Sequence, residues 1–188
     1  MYKRQILSVD TFRSEVARNC LDLGIDIIND ISAGCIDKNI LDVVAEYNCP
    51  YIMMHMKGTP QTMQINPEYE NLIKELLIYF AKRIYLAREK GIIDIIVDPG
   101  FGFGKTLDHN YTIMKKIENF KLLDLPILVG ISRKSFITKQ LDIDKKDSLN
   151  GTTALNMYFL EKNINILRVH DVKEAKECVM LHEKIKSS

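Results

Sequence analysis

The 188-residue chain contains no tryptophan, five prolines and only four cysteines. Cys20, Cys35, Cys49 and Cys178 stand far apart and form no C-x-x-C pair, which excludes a disulfide framework read from spacing. They read as reduced core thiols of a cytoplasmic protein. Neither they nor the four histidines show metal-ligand spacing. No apolar run approaches the ~20 residues that span a bilayer, and no stretch reads as a secretory signal. Charge of one sign is also missing. With 26 Lys+Arg against 25 Asp+Glu, the net charge is +1, and both signs are spread along the chain. That removes the electrostatic case for nucleic acid or a membrane surface.

What the chain does have is alternation. Apolar strand-like runs recur at residues 6–9, 25–28, 51–54, 93–97, 127–131 and 164–169. Helix-period segments separate them at 15–23, 40–47, 68–90, 111–120 and 152–160, with a last one at 172–185. Asp171 and Glu174 have the D-x-x-E spacing of a capping box for that last helix. Regular βα alternation with near-continuous apolar strands predicts an α/β fold, a parallel sheet covered by helices. Six units in 188 residues give roughly 31 residues each, the spacing of an eight-fold (β/α) TIM barrel of about 250 residues. The expectation is therefore the last six βα units of such a barrel, with the first two strands missing. An open doubly wound sheet is the alternative. Residues 6–188 form a single domain, and residues 1–5, which match a DNA-preparation adaptor translated in one frame, read as a non-native scar.

The most informative stretch is Asp98-Pro99-Gly100-Phe101-Gly102-Phe103-Gly104-Lys105-Thr106, which follows the fourth strand. Its glycines are one residue too close for a P-loop, and lysine at 105 breaks the dinucleotide pattern. What remains is a tight loop that brings backbone and one acid, Asp98, against a ligand. Ligands of parallel α/β folds lie beyond the carboxyl ends of the strands, and all six strands end in polar residues. These are Ser8-Val9-Asp10-Thr11, Asn29-Asp30, Met54-His55-Met56, Asp98, Ser132-Arg133-Lys134-Ser135 and Arg168-Val169-His170-Asp171. Arg168 and His170, two apart on a strand, point to one side; two buried basic groups there call for a phosphate or diphosphate, with an internal salt bridge as the alternative. Asp98, Asn29 and Asp10 offer acceptors and one amide for a flat heterocycle with adjacent N–H donors. Lys134 adds a cation for a ring carbonyl, and Phe103 at the loop tip is placed to cover an aromatic second substrate. His109 at a helix start and His182 on an exposed helix face receive structural assignments.

Taken together these motifs resemble the dihydropteroate synthases, a pterin-binding enzyme family, in family order from Ile6 onward. The glycine loop, S-R-K-S at 132–135 and R-V-H-D at 168–171 are each specific. The resemblance implies a transferase of folate biosynthesis. It would condense 6-hydroxymethyl-7,8-dihydropterin diphosphate with 4-aminobenzoate, giving dihydropteroate and diphosphate. It further implies that Asp98, Asn29, Asp10, Met54, Gly130 and Lys134 bind the pterin. Phe103, Lys134 and Ser135 would bound the aminobenzoate pocket, and Arg168 and His170 would take the diphosphate. Lys134, Arg168 and His170 are the catalytic set. Mg²⁺ is the implied cofactor, with ligands from an N-terminal segment this sequence does not contain and from the diphosphate, and none from the residues present. Sulfonamides are implied competitors, and a homodimer is implied for the full-length enzyme, with 172–185 as a surface. A chain without the first two units is expected to be compromised in activity and, with two open strand edges, in solubility. Two other functions are set against this one: a pterin-binding methyltransferase domain, which S-R-K-S and R-V-H disfavour, and a non-catalytic pterin-binding remnant.

Overall fold

A computed structural model describes residues 5–59, 61–63, 65 and 67–188; most of the expected scar, residues 1–4, lies outside the described residues. The chain runs β1 Ser8–Asp10, α1 Ser14–Asp22, β2 Ile27–Asp30, α2 Ile40–Tyr47, β3 Tyr51–Met54, α3 Leu72–Glu89, β4 Ile95–Asp98 and α4 Leu107–Lys115. A 3-10 turn at Ile117–Leu123 leads to β5 Leu128–Val129, α5 Ser135–Leu141, α6 Leu149–Glu161, β6 Ile166–Leu167 and α7 Val172–Lys186.

All strand pairs are parallel. β1 to β4 form one sheet in sequence order, and β5 pairs with β6. A bridge between Val97 and Ile127 joins the two groups, with the Val97 amide donating to Pro126 O at 2.9 Å. Every strand thus neighbours the next in sequence, with no reversal of order. A doubly wound sheet requires such a reversal, so that alternative is overturned.

Burial follows the predicted pattern in β2 to β5, whereas β1 and β6 are only partly buried. Tyr51, Met53, Phe80, Phe101, Phe120 and Phe159 are fully buried between strands and helices. Tyr51 carries its hydroxyl inward to Asp30 Oδ2 at 2.6 Å. Asp30 is itself enclosed and accepts from the Ser32 and Gly34 amides at 2.7 and 2.6 Å, so it pins its own loop.

Four expectations are corrected. Helix α4 starts at Leu107 rather than 111, because Thr106 and His109 close a capping box that the hydrophobic period does not reveal. Helix α5 was not predicted; its seven residues are too short for a helical period to register. Asp171 does not cap α7, because its carboxylate is turned to Arg133. His182 is buried, 7% exposed, since it shares the inner face of α7 with Ala175 and Cys178, and its Nε2 lies 3.5 Å from Glu161. No helix of the described residues is long and apolar enough to cross a membrane.

Candidate active site

The register aligns Asp10 with Asn29, Asn29 with Ile52, and Met54 with Asp98. With a two-residue period, Asp10, Asn29, Met54 and Asp98 therefore share one face at the carboxyl end of the sheet. Asp98 is 1% exposed. Its Oδ1 accepts the Gly100 amide at 2.7 Å, and its Oδ2 lies 3.3 Å from the Arg168 guanidinium. Asn29 donates to Asp10 Oδ1 at 2.7 Å, while its own Oδ1 is buried without a partner among the described residues. An unpaired buried acceptor costs about 1–3 kcal/mol, which an incoming N–H donor would recover.

The glycine loop is held close to β3. Gly100 has φ +71°, and a Cβ there would lie 2.0 Å from His55 O, so backbone sterics and conformation both demand glycine. Met54 packs beside the same position, and at Gly130 a Cβ would meet the Arg168 guanidinium at 3.0 Å. The loop carbonyls are taken by side chains: Phe101 O by Lys134, Gly104 O by Tyr69 at 2.7 Å, and Gly100 O and Phe103 O by Lys105, both at 2.9 Å. Lys134 Nζ also sits 4.6 Å from the Phe103 ring centroid, a cation–π approach. Burial pushes its pKa down to about 8, with Asp98 opposing and Arg168 adding to the fall. Ser135, exposed, opens α5 next to it.

Arg168 and His170 lie beyond β6, which ends at Leu167. The expectation of two strand residues facing one side is therefore corrected. Arg168 reaches inward to Asp98, so its charge has a carboxylate partner and does not by itself demand an anion; His170 is exposed, its backbone amide 3.3 Å from Ser132 Oγ. Two features were missed from sequence. Arg133, at φ +56°, forms a two-pronged ion pair with Asp171, Nε to Oδ2 at 3.0 Å. Lys105 is buried beneath the glycine loop. Residues of opposite charge in the two motifs were a signal for the first; the failed nucleotide motif hid the second.

Among the described residues, no group of three or more His, Cys, Asp or Glu side chains could hold a metal ion.

A family profile described as pterin binding enzyme matches residues 1–170. The chain belongs to the pterin binding enzyme family. It is 44% identical to dihydropteroate synthase of Synechocystis over 89% of this chain and 59% of that one. To the Escherichia coli enzyme of the same name it is 39% identical over 94% and 63%. The chain thus spans about 60% of the length of these curated pterin-binding relatives. Among solved structures of the family, Yersinia pestis dihydropteroate synthase with a sulfonamide drug superposes with TM-score 0.95 at 34% identity, covering 99% of this chain and 68% of that one. The Thermus thermophilus enzyme in complex with 6HMPPP gives TM-score 0.92 at 31% identity, covering 96% and 72%.

Proposed function

We propose that this chain carries the substrate-binding part of a dihydropteroate synthase, a transferase that joins 6-hydroxymethyl-7,8-dihydropterin diphosphate to 4-aminobenzoate. The observation that carries this is the acceptor set on one sheet face: buried Asp98, and Asn29 with its unpartnered Oδ1 beside Asp10. A pterin presents an amine and ring N–H donors on one edge, which a carboxylate receives in pairs. Met54 packs on the ring, Gly130 admits it closely, and Lys134 meets its carbonyl. Pterin binding releases Arg168 from Asp98 to join His170 on the diphosphate.

Reaction breaks the C–O bond between the pterin methylene and diphosphate, which leaves with the electron pair. The aniline nitrogen forms the new C–N bond and gives up one proton to water. Arg168 and His170 stabilise the charge on the leaving group, and Lys134 with Phe103 and Ser135 holds the aminobenzoate. No protein nucleophile enters the sequence of bonds. Sulfonamides compete at the aminobenzoate pocket.

Architecturally, the six βα units are the last six of an eight-fold TIM barrel, and two further strands seat between β6 and β1. Supporting this are the relatives' greater length and a groove of about 710 Å³ along α7 and β6, whose mixed lining includes Leu167, Val169, Val172, Ala175 and Val179. The whole enzyme is a cytoplasmic homodimer, and the 188 residues alone bind pterin but turn over poorly.

Calorimetric titration with pterin diphosphate tests this. Binding by the chain, with turnover appearing when the first two βα units of a relative are added in trans, supports the proposal. Absence of pterin binding overturns it, and pterin binding that never yields turnover favours the non-catalytic remnant instead.

A further inference from the structure

Lys105 is the one buried lysine among the described residues, 4% exposed. Its Nζ donates to the carbonyls of Gly100 and Phe103 at 2.9 Å each and of His55 at 3.3 Å, and lies 3.1 Å from His55 Nδ1. No carboxylate pairs with it among the described residues. Burying an ammonium is expensive unless its hydrogens are all satisfied, and a methionine would fill the same space without that cost. Burial accordingly draws its pKa down to about 7, against the pull of Asp98. What the charge supplies is convergence: three carbonyls from two separate loop ends point at one nitrogen. Gly100, whose carbonyl it holds, is also the residue whose amide donates to Asp98. The Phe103 peptide it holds carries the ring against Lys134.

We propose that Lys105 is a positioning residue whose ammonium gathers the carbonyls of His55, Gly100 and Phe103, and so sets Asp98 and Phe103 for their two substrates. It touches neither substrate and acts through the loop backbone. The inference rests on the pterin-holding role given to Asp98 above.

The test replaces Lys105 with alanine and offers the vacated space a free amine. In Lys105→Ala, which removes three charge-assisted hydrogen bonds, amide exchange over residues 100–104 is expected to accelerate at least about tenfold, the worth of one of them, while α2 and α3 stay protected. n-Propylammonium chloride should restore protection, and tetramethylammonium chloride, which has no N–H donor, should not. Lys105→Met should show the same acceleration without rescue. Pterin diphosphate affinity should fall and recover in parallel. Wild-type protection in Lys105→Met, or equal effects of the two salts, overturns the proposal. Should neither variant fold, refolding with n-propylammonium decides, recovery of Lys105→Ala supporting the role and failure refuting it. A wild-type chain that binds no pterin refutes the functional proposal alone, because loop exchange still reports on Lys105.

Discussion

The two halves of the rim are built differently. From β1 to β4 the polar residues stand at the ends of one continuous ladder, whose register alone places Asp10, Asn29, Met54 and Asp98. From β5 to β6 only two residue pairs are laddered, and the chain beyond them is fixed by side chains: Ser132 to the His170 amide, Arg133 to Asp171, Lys134 to Phe101 O. The strand ends of the first half get their geometry from the ladder, those of the second from charge and hydrogen bonds. Added volume should therefore cost the first half more stability than it costs the second.

The largest contrast is expected between two glycine-to-alanine changes. Gly100→Ala adds a methyl 2.0 Å from His55 O at φ +71°, and the facing atom is backbone, which cannot swing away. A loss of about 3 kcal/mol or more in urea unfolding follows from the left-handed conformation and the overlap together. Gly130→Ala meets only the Arg168 guanidinium at 3.0 Å, the end of a flexible side chain. Its cost should stay under about 1 kcal/mol, with the effect appearing in diphosphate affinity instead. Equal destabilisation by the two would erase the distinction between the halves.

Asp98→Asn comes next. It keeps the shape but replaces a charged acceptor by a neutral one and leaves Arg168 without its carboxylate at 3.3 Å. Pterin affinity should fall about 30- to 150-fold, or about 2–3 kcal/mol, the worth of hydrogen bonds to a charged group. Stability should change far less, because Arg168 is partly exposed and can turn to solvent. A calorimetric affinity within threefold of wild type, about 0.6 kcal/mol, would remove Asp98 from the pterin site.

Lys134 joins the halves, and its titration separates stability from binding. Its pKa of about 8 in the folded chain lies below the usual ~10.4 of an unfolded lysine. Between those values the unfolded chain holds the proton that the folded chain has released, so stability rises with pH over that window. The same proton loss removes the cation that meets the ligand, so affinity should fall through pH 8. Urea midpoints and affinities measured at pH 6.5, 8 and 9.5 should move in opposite directions, by ~10-fold or less in affinity. Parallel movement, or the same opposition in Lys134→Met, would take the effect away from Lys134, because Lys105 with its pKa of about 7 also gains stability over this window.

The same contrast governs what was legible in the sequence. β3 and α2 have the bounds that the hydrophobic pattern predicts, because a strand buried on both faces and an amphipathic helix each write their period into the residues. The acceptor face followed directly, since strand alternation and parallel order determine it. The pattern at 127–131 and 164–169 announced extended, buried chain but not that only two residues of each run would be laddered. Arg133 at φ +56°, its partner Asp171, and Lys105 beneath the loop depend on contacts 38 and 50 residues apart, for which local sequence has no period. Local rules failed at the same places: Asp171 has the spacing of a cap yet caps nothing, because Arg133 uses it. Such failures tend to gather at functional sites.

The smallest effect tests that last contact. The Arg133 guanidinium holds the Asp171 carboxyl below its usual range, chiefly through their hydrogen bonds. A carboxylate lowered in this way stabilises the folded chain above its unfolded pKa, and the contribution disappears as pH falls through the folded value. Asp171→Asn should therefore be nearly neutral at pH 7 in stability, because the pair is solvent-facing on the arginine side, and indistinguishable from wild type in acid. Its consequence should lie in geometry. Arg133 and Asp171 tie the chain before Lys134 to the chain after His170, so breaking the pair should raise KM for aminobenzoate and diphosphate ester together in the complemented enzyme. The exchanged double variant Arg133→Asp with Asp171→Arg should recover part of the loss. Recovery would be partial because aspartate, though tolerant of φ +56°, cannot reach the span that arginine covers. If the double variant is no better than the worse single one, the pair is incidental, and the second half of the rim is held by Ser132 and Lys134 alone.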